Sequence, residues 1–328
     1  MSFIRNGIFL LILAGATHIG IFFLNPDFSG TVQKEVRILE GASFKSVAEL
    51  LTERQLITNS IYFRLLGQWH GKDQKIKPGL YTFHAAMRPI DILDLLVLGK
   101  ISQKEITIRE GQSSREIAKI LYQAGLGYEE DFLIATRDPI LLHELGIGAE
   151  SLEGYLFPDT YFIAEGASSE DIIKQMVNRF KSRFNPLLEK TEVLSELSQR
   201  EIVILASMID KETSESSERP IISAVFHNRL RQGMRLQSDP TVIFGLPDFN
   251  GNLTRKDLVT PSSYNTYLIP GLPPGPIGNP GEAALSAAMA PADVEYLYFV
   301  SKNNGTHYFS KTLEEHNAAV NKYQRNLS

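Results

Sequence analysis

The chain has 328 residues, of which 43% are hydrophobic and 22% charged, an ordinary globular composition with more length than one average domain uses. Its formal net charge of −5 offers no basic surface to neutralise phosphates, which argues against nucleic-acid partners. The absence of cysteine removes thiolate zinc sites, disulfide frameworks, thiol nucleophiles and a lipid-modified N-terminal cysteine together.

The first predicted element is a membrane span. Gly7 to Leu24 is 18 residues long, is apolar except for Thr17 and His18, and follows a short head that carries Arg5. That length just spans a bilayer, which needs ~17 to 25 residues. The segment runs into Asn25-Pro26-Asp27 without a small-x-small cleavage site, so residues 1–30 are expected to form a cytoplasmic stub and an uncleaved transmembrane anchor in preference to a signal peptide or a buried core helix. Arg5 argues for a cytoplasmic N-terminus and an exported body.

A repeat follows. Val36-Arg37-Ile38-Leu39-Glu40-Gly41-Ala42-Ser43 recurs 70 residues on as Ile106-Thr107-Ile108-Arg109-Glu110-Gly111-Gln112-Ser113. Val47-Ala48-Glu49-Leu50-Leu51 likewise matches Ile117-Ala118-Lys119-Ile120-Leu121. Each copy reads as a short strand, a Glu-Gly turn, a Ser cap and an amphipathic helix. After the first copy come a second helical stretch, Ser60 to Trp69, and a strand-like Gly79 to Phe83. This βααβ order resembles a LysM domain, a small module that holds N-acetylglucosamine-containing glycans; a structural spacer is the alternative. The expected module covers residues 31–103.

Residues 104–328 read as one larger α+β domain. Helices are expected near Gln199 to Lys211 and Glu218 to Gln232, the second closed by Gly233. A hairpin is expected from Tyr296 to Val300 and Thr306 to Ser310 through Asn304-Gly305, then a helix opened by the capping box Thr312-Leu313-Glu314-Glu315. Between them, residues 270–281 hold five of the 16 prolines and four glycines. Such a stiff, irregular segment is expected outside the core, as a shaped wall or a plain connector.

The chain has no G-x-S-x-G, S-x-x-K or H-E-x-x-H pattern and no phosphate-binding glycine loop. Its histidines, at 18, 70, 84, 143, 227, 307 and 316, show no ligand spacing, so no metal site is expected. Carboxylate chemistry remains. With Glu201 to Thr213 read as a helix, Glu212 stands above Ile209, Met208, Leu205 and Ile202, while Asp210 points nearly the opposite way. A carboxyl group on an apolar stripe loses hydration in its charged form and so keeps a proton for donation. The alternative is a solvated glutamate at a helix end, although the helix dipole opposes a negative charge there.

Several ordered motifs carry a resemblance. Ala206-Ser207-Met208-Ile209-Asp210-Lys211-Glu212-Thr213, Glu218-Arg219-Pro220 and Val225-Phe226-His227-Asn228-Arg229-Leu230 resemble the YceG-like endolytic murein transglycosylase family. So do the segments Gly233 to Val242, Tyr264 to Tyr267, Gly271 to Ile277 and Tyr296 to Val300, and upstream Leu152 to Tyr161. The resemblance covers most of residues 36–317. Asp210 stands where the family is associated with a second glutamate, which argues that position 210 is not essential.

The resemblance implies a membrane-anchored peptidoglycan lytic transglycosylase, exported from the plasma (inner) membrane, with Glu212 as acid and base and with no metal or cofactor. It would cut the N-acetylmuramic acid to N-acetylglucosamine bond, leave a 1,6-anhydro end, terminate or trim nascent strands and work beside cell-wall synthases. Sugar binding needs amides, carboxylates and aromatic faces. Gln237, Ser238, Asp239, Tyr264, Asn265, Tyr267, Glu153 and Asp159 supply these, each with a structural role as the alternative. Two other readings stay open. One is a hydrolase (muramidase) using Asp239 or Asp210 to activate water; the other is a non-catalytic cell-wall scaffold.

Overall fold

The computed structural model describes residues 33–84, 87–99, 103–190, 196–247 and 249–325. The span expected at residues 1–30 lies outside the described residues; among those, no helix is long and apolar enough to cross a membrane. The chain divides into two compact units. One takes the described residues up to Glu105 together with Phe162–Ala167, and the other takes Ile106–Tyr161 with the residues from Ser168 onward.

In the smaller unit, β1 (Gln33–Ile38) leads through a Glu-Gly turn to α1 (Phe44–Glu53), α2 (Ser60–Trp69), β2 (Gly79–His84) and α3 (Pro89–Leu98). Gly41, at φ 73°, makes the turn that a side chain would strain, and Ser43 then accepts from Ser46 N–H to start the helix. The strands are antiparallel, with Val36 opposite Tyr81. Alternation sends Val36, Ile38, Tyr81 and Phe83 inward, where they meet Val47, Leu51 and Phe63. The expected βααβ order is present. It is completed by α3, which starts at Pro89 and adds Ile92, Leu93 and Leu96 to the same core.

The second copy of the repeat starts with β3 (Gln103–Thr107), which pairs with β4 (Thr160–Ala164), and continues to α4 (Ser114–Gln123). Gly111 (φ 76°) and the Ser113–Glu116 capping box repeat the first turn's solution. Two short helices follow, α5 (Glu129–Ala135) and α6 (Pro139–Glu144), and after β4 the long α7 (Ser169–Lys190). The rest comprises α8 (Gln199–Glu212), α9 (Arg219–Arg231), α10 (Asp239–Gly245), α11 (Arg255–Leu258), α12 (Glu282–Met289), the antiparallel hairpin β5 (Tyr298–Ser301) and β6 (His307–Ser310), and α13 (Leu313–Val320). Helices and small sheets in this mixture make an α+β fold.

The larger unit is built around α8. Every residue from Ile202 to Ile209 is buried, so the helix is covered all round rather than along one stripe, with α9, α10 and α12 packed on it.

The proline- and glycine-rich segment corrects its expectation. Residues 275–281 are buried and belong to the core, although they form no regular element. Side chains and neighbouring backbone replace the missing ladder bonds. Ile277 N–H donates to Ser207 Oγ at 3.0 Å, Asn279 N–H to Gln112 O at 2.9 Å, and Gly111 N–H to Asn279 O at 2.9 Å. Asn279 Oδ1 accepts from Gly154 and Leu156 as well. A side chain at Gly278 would stand 2.4 Å from Gly111 O, which is why this close crossing uses glycine.

Candidate active site

Glu212 is the last residue of α8. The helix opens on a Ser198–Glu201 capping box and ends where Thr213 turns extended, at φ −146° and ψ 138°. Eight buried residues before it fix the helix, so the carboxyl group is delivered from a rigid element into a partly exposed position. Ser238 Oγ donates to Glu212 Oε1 at 2.5 Å. Ser238 is itself held, for its N–H donates to Thr266 Oγ1 at 3.0 Å and Thr266 Oγ1 lies 2.8 Å from Thr241 Oγ1. Burial pushes the Glu212 carboxyl up to about 7 and the neighbouring Asp239 adds to this, while the Ser238 bond and the Arg229 charge oppose it.

Glu212 opens on a cleft of about 430 Å³, within the range of small-ligand sites. Gln237, Asp239 and Tyr267 line it beside Glu212; Arg229, Tyr298, Phe299, His307 and His316 line it as well. Tyr267 Oη donates to Asp239 Oδ1 at 2.6 Å, and burial followed by that bond raises the phenol's pKa, leaving it a protonated donor. Gln237 has φ 51°, a left-handed backbone that the bond from its N–H to Thr266 O helps to hold. Arg229 donates through Nε to Leu297 O at 2.6 Å and through Nη1 to Leu236 O at 2.8 Å, and its guanidinium lies 5.2 Å from the Tyr298 ring centroid.

Of the residues expected from sequence to form the site, Glu212, Gln237, Ser238, Asp239 and Tyr267 come together. The others do not line this cleft. Asn265 is fully buried and closes a turn, donating to Leu258 O and Thr260 O and accepting from Tyr267 N–H. The Tyr264 ring packs 4.9 Å from Phe244. Asp159 accepts from Arg179 Nε at 2.6 Å. Glu153 is buried, accepts from Ser114 N–H at 3.0 and 3.1 Å and from Asn279 Nδ2 at 3.1 Å, and is raised by burial to about 7. Glu153 and Asn265 thus satisfy buried polar groups, Tyr264 packs a half-buried ring and Asp159 forms an ion pair.

Asp210 does leave α8 on the side away from Glu212, but that side is interior. Its side chain has no exposed surface, accepts from Gly281 N–H at 2.7 Å and lies 3.1 Å from Arg219 Nη2. Burial raises it to about 7. A position expected to be dispensable thus belongs to a buried ion pair.

Sequence spacing assigned no role to Arg229, Tyr298, Phe299, His307 or His316. Arg229, Tyr298 and Phe299 lie inside the ordered motifs, which was the only signal available; the two histidines lie outside them.

Comparisons with known proteins agree with this architecture. Residues 36–322 match the YceG-like family model, and the chain belongs to that family. It is 32% identical over 335 residues to an endolytic murein transglycosylase of Bacillus subtilis (strain 168), covering 95% of this chain and 91% of that protein. It is 27% identical over 350 residues to an endolytic murein transglycosylase of Streptococcus pneumoniae, covering 95% of this chain and 63% of the longer relative. The 2.6 Å crystal structure of a yceG-like protein from Listeria monocytogenes superposes with a TM-score of 0.59 at 33% identity, covering 88% of this chain and 99% of that one.

Proposed function

We propose that this protein is a peptidoglycan lytic transglycosylase in which Glu212 performs both proton transfers. The observation that carries the reading is a partly exposed carboxyl group, raised to about 7, that lines a cleft and is aligned by a fixed hydroxyl. Near neutral pH such a group holds a proton in a useful fraction of molecules and releases it readily. Relatives over nearly the whole chain bear the name endolytic murein transglycosylase.

Protonated Glu212 gives its proton to the oxygen joining N-acetylmuramic acid to N-acetylglucosamine, and the bond breaks with oxocarbenium character on the muramic acid ring. The Glu212 carboxylate then takes the proton of that sugar's primary hydroxyl, whose oxygen closes on the anomeric carbon as a 1,6-anhydro ring. Water takes no part and no metal or cofactor is needed. Ser238 holds the carboxyl group in line, while Gln237, Asp239 and Tyr267 offer hydrogen bonds to the sugars. A hydrolase would need a second carboxylate to activate water. Asp239 is the nearest in kind, but one of its oxygens is taken by the Tyr267 phenol.

The remaining assignments complete this reading. Residues 1–30 anchor the chain in the plasma membrane, residues 31–103 form a LysM-like module that feeds glycan to the catalytic domain at 104–328, and cleavage on the exported side trims nascent strands beside a synthase. The support is the apolar run of residues 7–24 and the βααβ order of the smaller unit. The test is mass analysis of purified glycan strands after incubation with the protein. Transglycosylation leaves ends one water lighter than the reducing ends that a hydrolase leaves, and an unchanged digest would point to a scaffold.

A further inference from the structure

His307 lies in the cleft with its ring fixed. It opens β6 opposite Ser301, and Glu218 holds it twice: Oε1 accepts the His307 backbone N–H at 2.8 Å and Oε2 lies 2.7 Å from Nδ1. Glu218 stands at the amino end of α9, where the helix dipole favours a carboxylate. The two side chains are 10% and 12% exposed, so water competes little for the bond.

An ionised carboxylate only accepts, so Nδ1 carries the hydrogen and Nε2 is the nitrogen left over. The ring meets Phe299 edge-on with centroids 5.5 Å apart, and Phe299 meets Phe226 of α9 in the same way at 6.0 Å, which sets the plane of the imidazole. Among the described residues no protein group bonds Nε2, while the residue lines the cleft that holds Glu212. Anchoring the hairpin does not require a ring, because Glu218 already holds the backbone of residue 307. What the imidazole adds is an oriented, unspent nitrogen.

We infer that His307 contacts the glycan through Nε2, exchanging a hydrogen bond with a sugar hydroxyl, and that Glu218 is its positioning residue. The nature of the ligand rests on the proposed transglycosylase reading. A hydroxyl suits this nitrogen because it donates as well as accepts.

The test uses binding, so that it stands apart from catalysis. A peptide-free tetrasaccharide of alternating N-acetylglucosamine and N-acetylmuramic acid is titrated into the Glu212→Gln protein by calorimetry, alone and with each of three further changes. Asparagine places its amide where Nδ1 stands and keeps the contact to Glu218; glutamine places its amide near the position of Nε2. His307→Asn should weaken binding ~10-fold, the worth of one hydrogen bond, and His307→Gln should restore it to within ~3-fold. Glu218→Gln should weaken binding too, and nitrogen NMR should show His307 losing its single tautomer. Parent-like binding by His307→Asn would overturn the inference. So would a His307→Gln protein that binds as poorly as His307→Asn and melts lower, since that pattern marks a purely structural histidine. Failure of the unaltered protein, with Glu212 in place, to release anhydro ends would sink the transglycosylase reading alone, leaving the binding comparison to decide the role of His307.

Discussion

Ser238 donates its hydroxyl to Glu212 from the start of the next helix but one, across 26 residues of chain and 2.5 Å of space. The bond favours the charged form of Glu212 against the larger effect of burial. Removing it therefore moves the group further from its ordinary range. Ser238→Ala should shift the falling alkaline limb of the rate profile to higher pH by up to ~1 unit while lowering the maximal rate ~10-fold through loss of alignment. An unmoved limb would mean that the hydroxyl orients Glu212 without tuning it.

The raised pKa of Glu212 also bears on stability. Glu212 titrates at about 7 in the folded protein against an ordinary value of 4.5. The folded state holds the proton more tightly, so this group's favourable contribution is complete below about pH 4.5 and is lost as pH rises through about 7. Glutamine does not titrate. The Glu212→Gln protein should gain stability over its parent as pH rises from about 5 to 8, by up to ~3 kcal/mol. Asp210 and Glu153 titrate in the same window in both proteins, so the difference between the two melting curves isolates Glu212. A difference that does not change with pH would show that the group is better hydrated than its burial implies.

Asp210→Asn tests the far side of α8. The amide can still accept from Gly281 N–H, but it leaves the Arg219 guanidinium facing a neutral group, with Glu110 at 2.6 Å as its remaining anion. Breaking a buried pair from one side is costly. The expected outcome is a loss of ~2 kcal/mol in denaturant unfolding with little change in turnover per folded molecule. A large fall in turnover at unchanged stability would place Asp210 in the reaction.

Much of the fold was legible because it is local. The Ser43 and Ser113 caps, the Glu-Gly turns, the Asn304-Gly305 hairpin and the Thr312 capping box each place the chain's next element from a few adjacent residues, and each occurs where expected. The interior status of residues 275–281 was not legible, because what makes a proline- and glycine-rich run tolerable inside a protein is the set of distant partners, Ser207, Gln112 and Gly111, that satisfy its backbone. The same holds for the site. Glu212 could be placed by helical spacing along one element, and Gln237 to Asp239 by the ordered motifs. The burial of Asp210 was not legible, because spacing says which way a side chain leaves a helix and nothing of what covers that side. Glu153 and Asn265 are polar residues of a kind that binds sugars, yet they are consumed by Ser114, Asn279 and nearby carbonyls. His307 was set aside because its partner, Glu218, is 89 residues away.

Glu153→Ala follows from that last contrast. Deleting the carboxylate strips Ser114 N–H and Asn279 Nδ2 of an acceptor in the interior, so unfolding should become easier by ~2 kcal/mol, while the KM for glycan strands stays at the parent value. Thermal unfolding beside initial rates would decide it. A raised KM at parent stability would return Glu153 to the substrate.

The most direct test of the central claim is the yield of 1,6-anhydro ends from purified glycan strands by the Glu212→Gln protein, measured by mass spectrometry beside its circular dichroism and melting curve. Glutamine keeps the volume of the side chain and its bond from Ser238 but neither gives nor takes the proton. If one residue performs both transfers, the yield should fall by ~10,000-fold or more in a protein that is fully folded and at least as stable as its parent. Anhydro ends formed at the parent rate by folded Glu212→Gln protein would contradict the account.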